Sequence, residues 1–252
     1  MKSLALNAFF YECGAEILKA VRAPEYILPT LLMPIAFYLL FAFALPGAGD
    51  NNALYFLATY GIFAVMGPSI FGFGVGVANE RDRGWLSIKR ASPAPAIAYL
   101  GAKITVTLIF ASLALIPIYL AAGFGAGIAL PHSVWALLLG LHLMSVIPFI
   151  LIGLIVGFSL GSNGAVAISN IVFLAMAALG GLWLPIFLFP DALQKISITL
   201  PSYQLAEIAL AIVDAPTPTD SLRVPSENIT VVVIMTIFLA SLAYLAWARQ
   251  RN

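Results

Sequence analysis

The sequence predicts an all-α integral membrane protein with six transmembrane helices, an N-terminal amphipathic interfacial helix and short re-entrant helices before the last span. Three observations predict it. The 252-residue chain is 62% hydrophobic and 9% charged, whereas soluble proteins carry about 25% charged residues. A helix needs about 20 apolar residues to cross a hydrocarbon core, and such runs recur at 27–45, 54–78, 100–122, 134–160, 165–188 and 229–248. Ten of the twelve Lys and Arg residues fall in three short segments between or beyond those runs.

The first element, 3–23, is the interfacial helix. Leu6, Phe9, Phe10, Cys13, Ile17 and Val21 recur at helical spacing, while Asn7, Glu12, Glu16 and Lys19 hold much of the other side. That pattern suits a helix lying in the membrane surface. Ala23-Pro24 ends it, because the residue before a proline leaves the α region. Glu12, Glu16 and Lys19 interrupt any cleavable signal, so the first apolar run serves as an uncleaved one.

The spans follow. Pro29, Pro34, Pro68, Pro117 and Pro148 lie inside them and are tolerated in a membrane bundle as kinks. The N-terminus, the 79–103 segment and the C-terminal tip hold three, five and two basic residues, and the 46–53 and 123–133 loops hold none. Basic loops stay inside, so both termini are expected in the cytoplasm, and parity places the uncharged 159–165 turn there too. Before the last span, 189–228 is punctuated by Pro190, Pro201, Pro216, Pro218 and Pro225 and rich in acidic residues. Its apolar stretch after Pro201 is too short to span and reads as re-entrant.

Several chemistries find no support. There is no phosphate-binding Gly-rich loop ending in Lys-Ser or Lys-Thr. His132 and His142 have no partner at metal-ligand spacing, and the single Cys13 excludes an internal disulfide. His142 reads as a hydrogen-bonded interhelical residue rather than a proton relay. Carboxylates are nearly absent from the spans, which argues against ion-coupled transport. Energy for uphill movement would come from another subunit.

The segment 79–103 is the place for that energy to arrive. Glu80, Arg81, Asp82 and Arg83 follow the second span directly, Gly84 comes next, and Ser92-Pro93 stops the charged helix expected over 80–93. Glu80-Arg81, Gly84, Arg90 and Ser92-Pro93, in that order, resemble the cytoplasmic loop of type-2 ABC-transporter permeases. Gly180-Gly181, Pro185, Pro190 and Pro201-Ser202-Tyr203 are similar to that family's outer fold-back between the fifth and sixth spans. The likeness covers essentially the whole chain, read as one permease domain, 1–252, with a coupling loop at 79–99 and an extracytoplasmic re-entrant region at 189–228.

The resemblance implies the membrane subunit of an ATP-binding-cassette exporter in the bacterial inner membrane. It implies two copies of an ABC ATPase that bind ATP and Mg, and a second permease copy as homodimer or heterodimer. No cofactor, metal or nucleic acid is expected in this chain. Glu80, Arg81, Gly84, Arg90, Ser92 and Pro93 would couple it to the ATPase: Glu80 and Arg81 by charged contacts to the ATPase or the N-terminal helix, Gly84 by close backbone approach. Gly180, Gly181, Pro185, Pro190 and Pro201 would form the outer gate. Tyr60, Ser69, Phe73, Asn163, Asn170 and Phe173 would line the substrate path. The cargo implied is hydrophobic or amphipathic: a drug, an antibiotic or a lipid-like molecule. Export of lipid-linked polysaccharide and a lipid-modifying membrane enzyme are the alternatives. Gly153, Gly157 and Gly161 on the fourth span and Gly72 and Gly76 on the second would serve packing within the chain ahead of dimerisation.

Overall fold

The computed structural model describes residues 2–22, 24–44, 50–91, 96–214 and 225–250. Every regular element among them is helical. Helix α1 is Lys2–Arg22 and α2 is Pro24–Leu39, continued by a π-helical turn, Leu40–Ala44. Pro24 sits at the first position of α2, where its missing N–H costs nothing. The central helix α3 runs Asp50–Asp82, and α4 is the short Trp85–Ala91. Helix α5, Ala96–Leu120, ends in a second π-helical turn, Ala121–Gly125. Then come α6 (His132–Met144), α7 (Val146–Ser159), α8 (Ser162–Leu179), α9 (Asp191–Ser197), α10 (Pro201–Val213) and α11 (Ser226–Arg249).

Five helical stretches are long and apolar enough to cross a membrane: Asn52–Asp82, Ile97–Gly125, His132–Ser159, Ser162–Leu179 and Ser226–Arg249. The shorter apolar helix Pro29–Ala44 stands where the first span is expected. The expected fifth span, 165–188, ends earlier, at Leu179. Gly181 takes a φ of +74° there, a left-handed conformation open to glycine and costly for other residues. Beyond it the chain turns, and α9 and α10 meet at 87° as a bent, re-entrant pair.

Helix α3 is the axis. Helices α2, α5, α7, α8 and α10 all pack on it, and Leu57, Tyr60, Phe63, Met66, Ile70 and Phe73 on it are fully buried. Helix α11 is the opposite case: it packs on α7 and α10 along one side, and few of its residues are fully buried. Lipid tails are as apolar as leucine, so helices in a bilayer associate through close packing instead of water exclusion. The α3–α7 contact shows how. A Cβ on Gly153 would stand 2.9 Å from Phe73 Cβ, and one on Gly157 would stand 2.8 Å from the carbonyl oxygens of Phe73 and Gly74. These two glycines pack the fourth span onto the second within one chain.

His142 is buried between α3 and α5. Its Nε2 lies 3.0 Å from the Ala58 carbonyl oxygen and its Nδ1 lies 2.9 Å from the Tyr119 hydroxyl. The carbonyl only accepts, so Nε2 donates and Nδ1 accepts from Tyr119. Gly61 leaves the room, since a Cβ there would overlap the imidazole ring. His142 is therefore an interhelical tie.

Candidate functional site

The last turn of α3 gathers the charged end of the bundle. Three consecutive residues, Glu80, Arg81 and Asp82, each reach a different neighbour. Successive helical side chains are about 100° apart, so a charged triplet ending a central helix serves several partners at once.

Glu80 is 6% exposed. Its Oε1 accepts from Lys19 Nζ at 2.6 Å and Lys103 Nζ at 3.1 Å, and its Oε2 accepts from the Tyr99 hydroxyl at 2.5 Å. Glu16 on α1 accepts from the same two lysines, at 2.6 and 2.8 Å. Two carboxylates and two ammonium groups thus alternate. A buried charge is tolerable only when it is paired and hydrogen-bonded, and this arrangement pairs all four. Burial would depress the Lys19 ammonium, but the Glu80 charge and the bond to Glu16 outweigh it and hold the group above its ordinary pKa. Nearby, Lys89 Nζ on α4 lies 2.7 Å from Glu12 Oε2 and 4.1 Å from the centre of the Tyr99 ring. Three acids and three lysines bind α1, α3, α4 and α5 into one neutral cluster.

Arg81 points the other way. It donates to the carbonyl oxygens of Gly157 at 3.1 Å, Phe158 at 2.8 Å and Leu160 at 2.6 Å. These are unsatisfied acceptors at the negative end of α7. Asp82 accepts from the backbone N–H and the hydroxyl of Ser162, both at 2.7 Å, and so caps α8 from outside. The uncharged 159–165 turn therefore lies at the same end as the 79–91 segment. Gln250 joins it, donating to the Phe158 carbonyl at 2.9 Å.

The helix expected over 80–93 is two pieces. Residues 80–82 complete α3, and Gly84, at φ +73°, turns the chain into α4. Its chain neighbours aside, no atom of the described residues lies within 4 Å of a Cβ placed on Gly84. Its contribution within the chain is the turn and not close backbone approach. On α4, Trp85 is 49% and Ile88 is 69% exposed, and Ser87 is exposed beside them. Ser92 and Pro93 lie outside the described residues, as does the Arg90 side chain.

The polar side of α1 is the side that meets the protein. Glu12 and Glu16 face the protein, together with Phe9, which lies 3.6 Å from a Cβ built on Gly101. Leu6, Phe10, Leu18 and Val21 face outward. In lipid the polar stripe seeks partners inside the protein and the apolar stripe is left for the bilayer.

Comparison with known proteins agrees with this layout. The family model described as "ABC-2 family transporter protein" matches residues 44–245. A Bacillus subtilis (strain 168) protein, YvfS, with the provisional designation transport permease, is 31% identical over 218 residues, covering 85% of this chain and 89% of its own length. The chain belongs to the ABC-2 transporter family. It is a multi-pass transport permease, and membership implies an ABC ATPase partner and a dimeric organisation in general terms.

The permease's opposite end holds the predicted gate residues. Gly180 closes α8, and a Cβ there would overlap Ser202, whose hydroxyl donates to the Met176 carbonyl at 2.9 Å. The Gly181 carbonyl accepts from the Tyr55 hydroxyl at 2.8 Å. Pro185 precedes a 3-10 turn, Ile186–Leu188, Pro190 precedes α9, and Pro201 opens α10. All five expected gate residues therefore shape one compact fold-back. The expected substrate-path residues do not form one wall. Tyr60, Ser69, Phe73 and Phe173 are buried in the packed interior, with Phe173 stacked on Phe63 at 5.0 Å, whereas Asn163 and Asn170 are exposed. Helices α3 and α8 turn their aromatic faces into their own bundle, because α7 and α10 cover them there.

Glu16, Lys19, Tyr99, Lys103 and Ser162 are site residues that sequence reasoning missed. The usable signal was the lack of any charge in the 159–165 turn. Two helix ends meet there, and their orphan backbone groups needed caps from elsewhere in the chain.

Proposed function

We propose that this permease exports a hydrophobic or amphipathic molecule, such as a drug, an antibiotic or a lipid-like compound. It would act as a dimer with two ABC ATPase subunits docked beneath it on the cytoplasmic side. The observation that supports this reading is the seating of α4. A short helix with Trp85 and Ile88 outward is set off by the Gly84 turn. Lys89 ties it to α1, and the adjoining end of α3 is tied to α1, α5, α7 and α8. A push on α4 would therefore reach most of the bundle as one rigid movement. In this scheme the exposed α4 residues touch the ATPase, while Glu80, Arg81 and Asp82 transmit force instead of making the contact. The membrane would be the bacterial inner membrane, with both termini inside.

Co-expression with candidate ABC ATPases of the source organism tests it. Wild-type permease should co-purify with one of them, and the pair should hydrolyse ATP faster in the presence of a transported amphiphile. Replacing Trp85 and Ile88 by Ala should abolish co-purification and leave the helical content unchanged. Retained co-purification in that variant would contradict the docking role.

A further inference from the structure

A cavity of about 670 Å³ opens beside the neutral cluster, between α1, α2, α3 and α5. Its walls are of two kinds. Leu31, Phe71, Val75, Val106 and Phe110 line it with apolar surface, and Glu16, Lys19, Glu80 and Lys103 close its charged end. Those four are committed to one another. Two further cations reach the same cavity, Arg22 from the end of α1 and Arg83 from the end of α3. Both are exposed, and neither has an ion-pair or hydrogen-bond partner among the described residues. The cavity thus offers a surplus of two positive charges at its mouth and apolar walls within.

We propose that this cavity binds an anionic phospholipid, its phosphate held by Arg22 and Arg83 and part of an acyl chain laid against Phe71, Val75, Val106 and Phe110. A guanidinium presents paired N–H donors that match phosphate oxygens. The cavity's size is that of small-molecule sites, which combine apolar walls with a few fixed polar groups. The committed lysines matter as well. Because Glu16 and Glu80 neutralise Lys19 and Lys103, the incoming phosphate meets no uncompensated carboxylate. The occupant braces α1 against α2 and α3, and the proposal holds whether or not lipid is ever transported.

The test uses the purified full-length chain. Phosphatidylglycerol, phosphatidylcholine and inorganic phosphate are added in turn, and bound lipid is counted by native mass spectrometry alongside thermal unfolding. Phosphatidylglycerol should bind at one tight site per chain, phosphatidylcholine at least tenfold more weakly, and inorganic phosphate should neither bind tightly nor displace the lipid. Arg22→Gln and Arg83→Gln should each weaken phosphatidylglycerol binding about fivefold. Val106→Trp, which fills the apolar part, should exclude the lipid with both arginines in place. Equal binding of the two lipids, displacement by inorganic phosphate, or unaltered binding in the double arginine variant would each overturn the proposal. The arginine variants are on the surface and keep the test decisive if Val106→Trp fails to fold. Unchanged co-purification with the ATPase in the arginine variants separates this site from the transport reading.

Discussion

The two ends of α3 are held by different chemistry. At the Asp82 end, three adjacent charged residues fasten four other helices through ion pairs and helix caps. At the Asp50 end, the fastening is steric and neutral: Tyr55 bonds the Gly181 carbonyl, and Gly180 admits Ser202 against the end of α8. Ionic ties in a buried setting fail steeply when one partner is lost. Neutral hydrogen bonds and close packing lose less per change. The charged end is therefore built to move as a block, and the fold-back end to yield locally.

The largest effect is expected at Glu80. Glu80→Ala leaves Lys19 and the buried Lys103 with Glu16 alone, and breaking such a buried set costs ~3–5 kcal/mol. A large fall in the thermal midpoint in detergent is the expected reading. Adding Lys103→Met should recover part of it, because the uncompensated charge is then gone. Next comes Arg81→Ala. It strips donors from three carbonyls at the end of α7, a loss of about 1–3 kcal/mol, and hydrogen exchange should rise at 157–162 before it rises in α5. At the other end, Gly180→Ala forces Ser202 to shift, at a cost of about 1–3 kcal/mol. Its exchange signature should stay within α8–α10. Tyr55→Phe is the mildest change, about 1 kcal/mol. If Gly180→Ala loosened α1 and α5 as much as Glu80→Ala does, the contrast between the ends would be wrong.

The architecture was legible because its signals are one-dimensional. Apolar run length and the clustering of Lys and Arg need no knowledge of contacts, and they located the helices to within a few residues. The fifth span was the exception. Continuous hydrophobicity through Leu182 and Leu184 hid the left-handed turn at Gly181. The site was less legible for a related reason. Charge at the end of a span looks like a partner-facing surface when read along the chain. Only the fold shows that Arg81 and Asp82 cap α7 and α8, some 80 positions away. Likewise, nothing in Tyr60, Phe73 or Phe173 as residues says whether an aromatic faces a shared pathway or its own bundle; packing of α7 and α10 decides it. Gly153 and Gly157 were readable as a packing stripe, but their partner, α3, was not.

The account depends most on which side of the membrane α4 occupies. Cys13 is the chain's one cysteine, so Cys13→Ala gives a background without thiols. In it, Ser87→Cys should resist a membrane-impermeant maleimide in intact cells and react fully in inverted membrane vesicles. Labelling of that cysteine in intact cells would place α4 away from ATP and contradict the account.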